Sequence, residues 1–307
     1  MKINKKSPKQ YFPDLVGQHA VKKKLSFYID AFNKTSQSPF LLMAGAKGLG
    51  KNLYNQDGEK RTFLELNCST IKNNEQFFEQ IFLPLIADNE ITILFDECHA
   101  LPQDLTMAFL TIFNTEAHSR KSFTWNEMSF EFNFKQQTFI FATTETDKIF
   151  PPLKDRLTIV DFEPYSEKEL AKIIELCAPD IDFTEECLEK VSTTIRGNAR
   201  SAVKRAKEIS LYCGSKEDNF FSLDSFIDLS DSVGILPYGL TNTEKQVLQI
   251  LKNCGSATLT GLSAKLGLSK TALQRDHELY LLNKNLIEID GKRKITSKGI
   301  KLCDFLV

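Results

Sequence analysis

Four short, apolar runs spaced along the first half of the chain restrict its fold more than any other feature. They cover residues 40–44, 62–66, 91–95 and 138–143. Apolar runs of this length are typical of strands that are buried on both faces, as in parallel sheets covered by helices. Helix-like stretches separate them between residues 13 and 163. The pattern therefore predicts an α/β fold, with a parallel sheet and helices on both of its faces.

An aromatic segment lies between the third and fourth runs. Residues 123–134 alternate aromatic and polar side chains around Asn126 and Glu127, after a helical pattern at residues 109–117. Alternation on both sides of two turn-forming residues predicts a β-hairpin. We expect the aromatic hairpin to be exposed, as an element that contacts a partner or lines a pore.

Beyond the sheet, a Pro-Tyr-Gly sequence at residues 237–239 separates two further segments of the chain. Residues 164 to about 230 have a helical pattern, and the segment from Thr241 onward has three helices followed by two short strands around Asp290 and Gly291. The latter order predicts a winged helix-turn-helix. We expect an α/β domain, a helical lid and a winged-helix domain, bounded at 1–163, 164–236 and 237–307.

Charge is unevenly distributed, although the net charge is only −1. Residues 241–307 contain eleven Lys and Arg against six Asp and Glu, whereas residues 1–240 contain 28 basic and 34 acidic residues. A basic terminal domain is a candidate surface for nucleic-acid phosphates. An ordinary solvated surface explains the charge alone equally well.

Composition argues against a membrane or exported protein. No segment approaches the ~18 consecutive apolar residues of a membrane span, and the basic N-terminal stretch lacks the apolar core of a signal peptide. The seven cysteines form no CxxC pair and no Cys/His cluster with zinc spacing. We therefore expect reduced thiols, no membrane association and a cytoplasmic location.

A glycine-rich turn directly follows the first apolar run. Its sequence at residues 45–52, GAKGLGKN, matches the phosphate-binding pattern G-x-x-x-x-G-K up to its last position. Gly45, Gly48 and Gly50 would let backbone N–H groups surround phosphate oxygens, and Lys51 would supply a positive charge to the β- and γ-phosphates. The position after a strand favours an ATP site, and an accidental glycine-rich turn is the alternative.

Asn52 departs from that pattern, which has Ser or Thr at this position. A hydroxyl there ordinarily binds Mg²⁺, and an amide oxygen also coordinates hard cations but with different reach. The following residues, 53–61, lack an apolar stripe and contain Gly58, so we expect the next helix to be short or irregular. These departures predict weakened nucleotide affinity or turnover.

Two carboxylates follow the third apolar run. Asp96 and Glu97 end the sequence ITILFDE, in the manner of a Walker B strand. In such a site Asp96 would hold the metal, usually through water, and Glu97 would orient and deprotonate the attacking water. His99 comes two positions later, but a solitary histidine without a second ligand is typical of packing or hydrogen bonding, so we leave it outside the predicted site.

Two further motifs complete the series. Residues 14–18 read DLVGQ, and the fourth apolar run ends in Ala-Thr-Thr at residues 142–144. With the DECHAL sequence at residues 96–101, they resemble the AAA+ ATPases, and among them the branch-migration motors of the RuvB type, whose corresponding sequence is DEIHRL. The resemblance extends from residue 8 to about residue 302.

The resemblance implies roles for these motifs. Leu15 and Val16 would border the adenine. Thr143 and Thr144 would form the family's first sensor, in which a hydroxyl contacts the γ-phosphate or the attacking water. Arg156, in PLKDR, falls at the position of the arginine finger and would act on a neighbour's nucleotide, so hydrolysis would need an oligomer. Arg200, in RGNAR, resembles the second sensor and would reach back to the phosphates.

The resemblance also implies partners. The hairpin at residues 123–134 matches the insertion on which such motors dock a junction-binding protein. The basic wing has Lys292, Arg293 and Lys294, which would contact DNA phosphates without reading bases. A winged helix that docks protein is the alternative.

The function implied is ATP hydrolysis coupled to translocation of duplex DNA by a homo-oligomeric ring, expected to be a hexamer, in Holliday-junction branch migration during recombination and repair. ATP and Mg²⁺ would be its cofactors, and duplex or branched DNA its substrate. The rival interpretation is a DNA-bound scaffold or clamp-loader-like subunit that binds nucleotide but hydrolyses it weakly or not at all.

Overall fold

A five-stranded parallel sheet organises the first part of the computed structural model, which describes residues 11–45, 62–114 and 119–306. Its strands are β1 (Leu41–Ala44), β2 (Thr62–Asn67), β3 (Ile91–Asp96), β6 (Gln137–Thr143) and β7 (Thr158–Asp161). Across the sheet they stand in the order β2-β3-β6-β1-β7. The predicted fold class is confirmed. The edge strand β7 was not predicted, because TIVD is short and half polar.

The register of this sheet aligns the carboxyl ends of its strands. Ala44 pairs with Thr143 on one side and with Asp161 on the other. Asn67 at the end of β2 lies opposite Asp96 at the end of β3. In open parallel sheets, ligands bind in the crevice outside these ends.

Helices cover both faces of the sheet. They are α1 (His19–Thr35), α2 (Gln76–Ile86, with π-type hydrogen bonding), α3 (Gln103–Ile112) and α4 (Pro151–Lys154); α5 (Glu167–Cys177) follows the sheet in the chain. Successive residues of β1 point to opposite faces. Leu41 therefore packs in the cluster around α1, whereas Leu42 packs in the cluster around α2 and α3. The predicted helix at residues 109–117 lies partly in α3, which begins earlier, at Gln103, and ends at Ile112.

The predicted hairpin is present, as β4 (Arg120–Trp125) and β5 (Met128–Asn133). Asn126 and Glu127 both have positive φ, 47° and 65°, as a two-residue type I′ turn requires. The expectation of exposed aromatic side chains is wrong. Phe130 is 2% exposed, and both Phe123 and Trp125 stack on Phe78 of α2. The outward face is formed by the alternate, mostly polar residues, because packing against α2 removes the aromatic face from water.

The remaining chain is mainly helical. The segment after α5 contains α6 (Glu185–Thr193), α7 (Ala199–Lys216), α8 (Leu223–Val233) and two-residue strands β8 (Asp182–Phe183) and β9 (Phe220–Phe221). The chain separates into two compact units, one with residues up to 177 and 197–205, the other with residues 178–196 and those from 206. The three domain boundaries stated above remain a prediction. Among the described residues, no helix combines the length and the apolar character needed to cross a membrane.

The last segment forms the predicted winged helix. Its elements are α9 (Asn242–Cys254), β10 (Ser256–Ala257), α10 (Leu259–Leu266), α11 (residues 270–283, π-helical in the middle), β11 (Ile287–Asp290), β12 (Lys292–Ile295) and α12 (Ser297–Phe305). Thr241 and Glu244 form a reciprocal capping box at the start of α9. Strand β10 pairs with β12 and completes a three-stranded sheet. The aliphatic side chains of these elements form one core, which includes Leu248, Leu273 and Leu286.

Candidate nucleotide site and nucleic-acid interface

Residues predicted to handle nucleotide follow three neighbouring strands at one edge of the sheet. Gly45 follows β1, Glu97 follows β3 and Thr144 follows β6. The N–H of Gly45 donates to the carbonyl of Thr143 over 3.1 Å. The first residue of the glycine-rich sequence therefore lies beside the predicted sensor. Its other predicted site residues, Gly48, Gly50, Lys51 and Asn52, lie outside the described residues.

Gly45 occupies a position that excludes a side chain. Its φ is +107°, and a Cβ there would lie 2.8 Å from the carbonyl oxygen of Phe162. Since that obstacle is backbone, it cannot move aside like a flexible side chain. Position 45 therefore requires glycine, the residue without a Cβ.

The carboxylates after β3 sit in an uncommon backbone conformation. Glu97 has left-handed dihedral angles, φ 54° and ψ 45°, and its N–H donates to Asp96 Oδ1 over 3.0 Å. Non-glycine residues adopt this region at an energetic cost and are concentrated at functional sites. The side chain of Glu97 is only 16% exposed.

His99, which the sequence interpretation left out, joins these strands. Its Nδ1 lies 2.8 Å from Thr143 Oγ1 and 3.5 Å from Glu97 Oε2, and its Nε2 lies 2.9 Å from Glu145 Oε2. Sequence spacing could not reveal this network, since two of the partners are more than 40 residues away. The predicted hydrogen-bonding role of His99 is confirmed, and its partners lie among the residues at the ends of β3 and β6.

The two predicted sensor threonines differ in environment. Thr143 is 4% exposed, and its hydroxyl accepts the N–H of Glu145 over 3.0 Å. Thr144 is exposed at the end of the strand. The buried, hydrogen-bonded Thr143 thus holds the exposed Thr144 at the carboxyl edge of the sheet.

The predicted adenine border belongs to a loop anchored by its last residue. Leu15 and Val16 are half-buried. Gln18 donates from Nε2 to the carbonyl of Glu163 over 2.6 Å and accepts its N–H over 3.2 Å. These two bonds fix the loop beside the end of β7.

The two predicted arginines have different surroundings. Arg156 is half-buried, and it donates from Nε to the carbonyl of Leu110 over 3.0 Å and from Nη1 to that of Pro152 over 2.6 Å. Arg200 is exposed in the first turn of α7. The backbone carbonyls of Leu110 and Pro152 therefore orient the guanidinium of Arg156.

The wing presents its three basic residues unequally. Lys292 is exposed, and Lys294 forms an exposed pair with Asp290 over 3.0 Å. Arg293 instead donates two bonds to Glu278 of α11, Nε to Oε1 over 2.7 Å and Nη2 to Oε2 over 3.2 Å, with the two side chains 12% and 7% exposed. The structure thus gives Arg293, predicted to contact DNA, a bidentate partner within its own domain.

A second buried carboxylate fixes the start of the winged helix. Glu244 is fully buried; its side chain accepts the N–H of Thr241 over 2.8 Å, pairs with Arg196 and lies 3.4 Å from His277 Nδ1. Arg196 also lies 4.0 Å over the ring of Tyr280. Arg196, just before the predicted second sensor, is thus tied to the winged helix.

Residues 237–304 match the family described as the RuvB C-terminal winged helix domain. The chain resembles RuvB along nearly its whole length. The Holliday junction branch migration complex subunit RuvB of Bdellovibrio bacteriovorus is 22% identical over 302 residues, which span 95% of this chain and 91% of that protein. The protein of the same name from Thermotoga maritima is 24% identical over 301 residues, spanning 94% and 89%.

A solved structure of Thermotoga maritima RuvB, a proline-to-glycine mutant, has the same fold as this chain. Its TM-score is 0.74 at 22% sequence identity, and the match covers 97% of this chain and 99% of that one. The likeness therefore includes the α/β part as well as the winged helix.

Proposed function

We propose that this chain is an ATP-driven DNA motor of the RuvB type, which translocates duplex DNA in Holliday-junction branch migration. The observation that carries the proposal is the combination, in one chain, of a RuvB-type winged helix at residues 237–304 with acidic and hydroxyl side chains at the carboxyl edge of a parallel sheet. The similarity to RuvB over 95% of the chain supports the same conclusion.

In this proposal each group at the sheet edge has one task. Gly45 to Asn52 would bind the triphosphate, and Lys51 would supply a positive charge to its terminal phosphates. Glu97 takes a proton from the attacking water, and Thr144 orients that water or the γ-phosphate. The oxygen ligands of Asp96 and Asn52 fit Mg²⁺, which prefers hard oxygen donors and would neutralise phosphate charge when bound.

The remaining roles lie at surfaces. Arg156 would reach the nucleotide of a neighbouring subunit, so we propose a homo-oligomeric ring. Arg200 would contact the phosphates of its own subunit. Lys292 and Lys294 would contact DNA phosphates, and the outward face of the hairpin at residues 120–133 would dock a junction-binding protein.

ATP turnover with and without branched DNA tests the proposal. We expect the wild-type chain to hydrolyse ATP faster when branched DNA is present, and Glu97→Gln to lose this turnover while still binding nucleotide. Glu79→Gln, the same change at an exposed position on α2, is the matched control and should retain wild-type turnover. Equal turnover in all three proteins would refute the assigned role of Glu97.

Mixing two inactive variants tests the action of Arg156 between subunits. Arg156→Ala keeps its own Glu97, and Glu97→Gln keeps its own Arg156. Equal mixing should therefore create intact interfaces, about a quarter of the total if subunits assemble at random. Recovery of turnover on mixing is expected, and no recovery would contradict a finger supplied by a neighbour.

A substitution at Asn52 distinguishes a motor from a subunit that binds nucleotide without hydrolysing it. If the amide limits metal binding, Asn52→Thr should raise Mg²⁺-dependent turnover. A chain that assembles on DNA without turnover, even with this substitution, would favour the scaffold or loader.

A further inference from the structure

We propose that His99 is a positioning residue for ATP hydrolysis, which fixes the end of β6 through Thr143 and limits where the carboxylate of Glu97 can move. The inference rests on the proposed function and adds a residue to it. His99 lies on a single helical turn, Cys98–Ala100, between the Walker B strand and α3. It is therefore placed between the predicted water-activating group and the predicted sensor.

Each ring nitrogen of His99 faces its own partner. Thr143 Oγ1 accepts the N–H of Glu145 and lies 2.8 Å from His99 Nδ1. His99 Nε2 faces a carboxylate oxygen of Glu145 at 2.9 Å, where a proton on Nε2 makes a hydrogen bond and a lone pair would repel. The ring of His99 is therefore held at both of its nitrogens.

Glu97 lies beside the same ring nitrogen as Thr143. Its Oε2 is 3.5 Å from Nδ1, against 2.8 Å for Thr143 Oγ1. The closer contact of Nδ1 is therefore the one to Thr143, and the ring limits the space that is open to the carboxylate of Glu97.

The second consequence concerns the sensor. Thr143 is buried, and its hydroxyl is held by His99 on one side and by the backbone of Glu145 on the other. Exposed Thr144 comes next in the chain. A fixed Thr143 therefore places Thr144, and misplacing catalytic groups slightly lowers the rate more than it lowers binding.

Two substitutions distinguish the contribution of Nδ1 of His99 from that of Nε2. His99→Asn places an amide near the position of Nδ1 and can keep the bond to Thr143, whereas His99→Gln reaches toward Glu145 instead. We expect His99→Ala and His99→Gln to lower kcat about tenfold, with KM and the affinity for a non-hydrolysable ATP analogue within about twofold of wild type. We expect His99→Asn to restore kcat to within about threefold of wild type.

A double substitution tests whether the effect passes through Thr143. In a Thr143→Val background the hydroxyl is already absent, so His99→Ala should lower kcat by less than about twofold further. Fully additive losses would overturn the inference, as would equal kcat in wild type and His99→Ala. A parallel fall of nucleotide affinity and melting temperature would assign a merely structural role, and it too would overturn the inference.

The outcomes remain distinguishable from failure of the proposed function. Turnover by the wild type with no effect at His99 would overturn this inference alone. No turnover by the wild type under any DNA condition would overturn both. Should His99→Ala fail to fold, the comparison of His99→Asn with His99→Gln decides, because rescue by Asn and not by Gln is expected only for positioning through Nδ1.

Discussion

Removing Arg293 should destabilise the wing and not simply weaken DNA binding. Arg293 and Glu278 form a bidentate pair whose side chains are 12% and 7% exposed. Arg293→Met would leave the carboxylate of Glu278 buried without its cation, and breaking a buried pair in this way costs about 3–5 kcal/mol. That is a large part of the 5–15 kcal/mol that typically stabilises a domain, and it raises the opened population at least about a hundredfold.

Hydrogen exchange followed by mass spectrometry measures this loss in the full chain. We expect faster amide exchange in β12 and α11 of Arg293→Met, and unchanged exchange in β3 as an internal reference. Adding Glu278→Leu should recover most of the protection, since apolar residues replace a buried ion pair at little cost.

Lys292→Ala is the matched control in the same wing. Lys292 is exposed, so its removal should leave exchange unchanged. It should lower DNA affinity and reduce the slope of log K against log salt by about 0.9, the loss of one phosphate contact. If Arg293→Met left exchange unchanged and reduced the slope like Lys292→Ala, the assignment of Arg293 to the fold would be refuted.

Three further changes test the described structure. Burial raises the pKa of the Cys98 thiol to about 12, so at pH 8 an alkylating reagent should modify exposed Cys254 but not Cys98, as read by peptide mass spectrometry. Modification of both would show that Cys98 is accessible. Gly45→Ala should cost about 1–3 kcal/mol of strain and weaken binding of a fluorescent ATP analogue about tenfold or more; unchanged affinity would contradict the close approach. Phe130→Ala should cost about 3–5 kcal/mol in unfolding experiments, whereas Met128→Ala at the exposed tip should cost less than about 0.5, and similar losses would contradict the packing.

Local patterns predicted the elements that depend on local chemistry. The apolar runs located four of the five sheet strands to within one or two residues, because a strand buried on both faces has a recognisable composition. The helical pattern from Thr241 onward located the start of α9 at Asn242. The two turn residues Asn126 and Glu127 located the hairpin. In each case the signal lies within a few residues of the element.

Contacts between distant parts of the chain were not accessible in this way. Alternation identified two faces of the hairpin but not which face would meet α2, and this depends on Phe78, more than 40 residues earlier. Arg293 has an ordinary wing sequence, and its burial depends on Glu278 of another element. His99 reads as a solitary histidine until the fold brings Thr143 beside it.

The packing of the hairpin also supplies an optical probe. Trp125 is the single tryptophan of the chain, and its ring is stacked on Phe78, with centroids 5.8 Å apart and an angle of 28° between the planes. Its emission therefore reports the environment of one side chain in one place. A docking protein that lifts the strand pair from α2 would expose the indole to water and shift its fluorescence to the red, so the protein can be titrated without a dye or an added label.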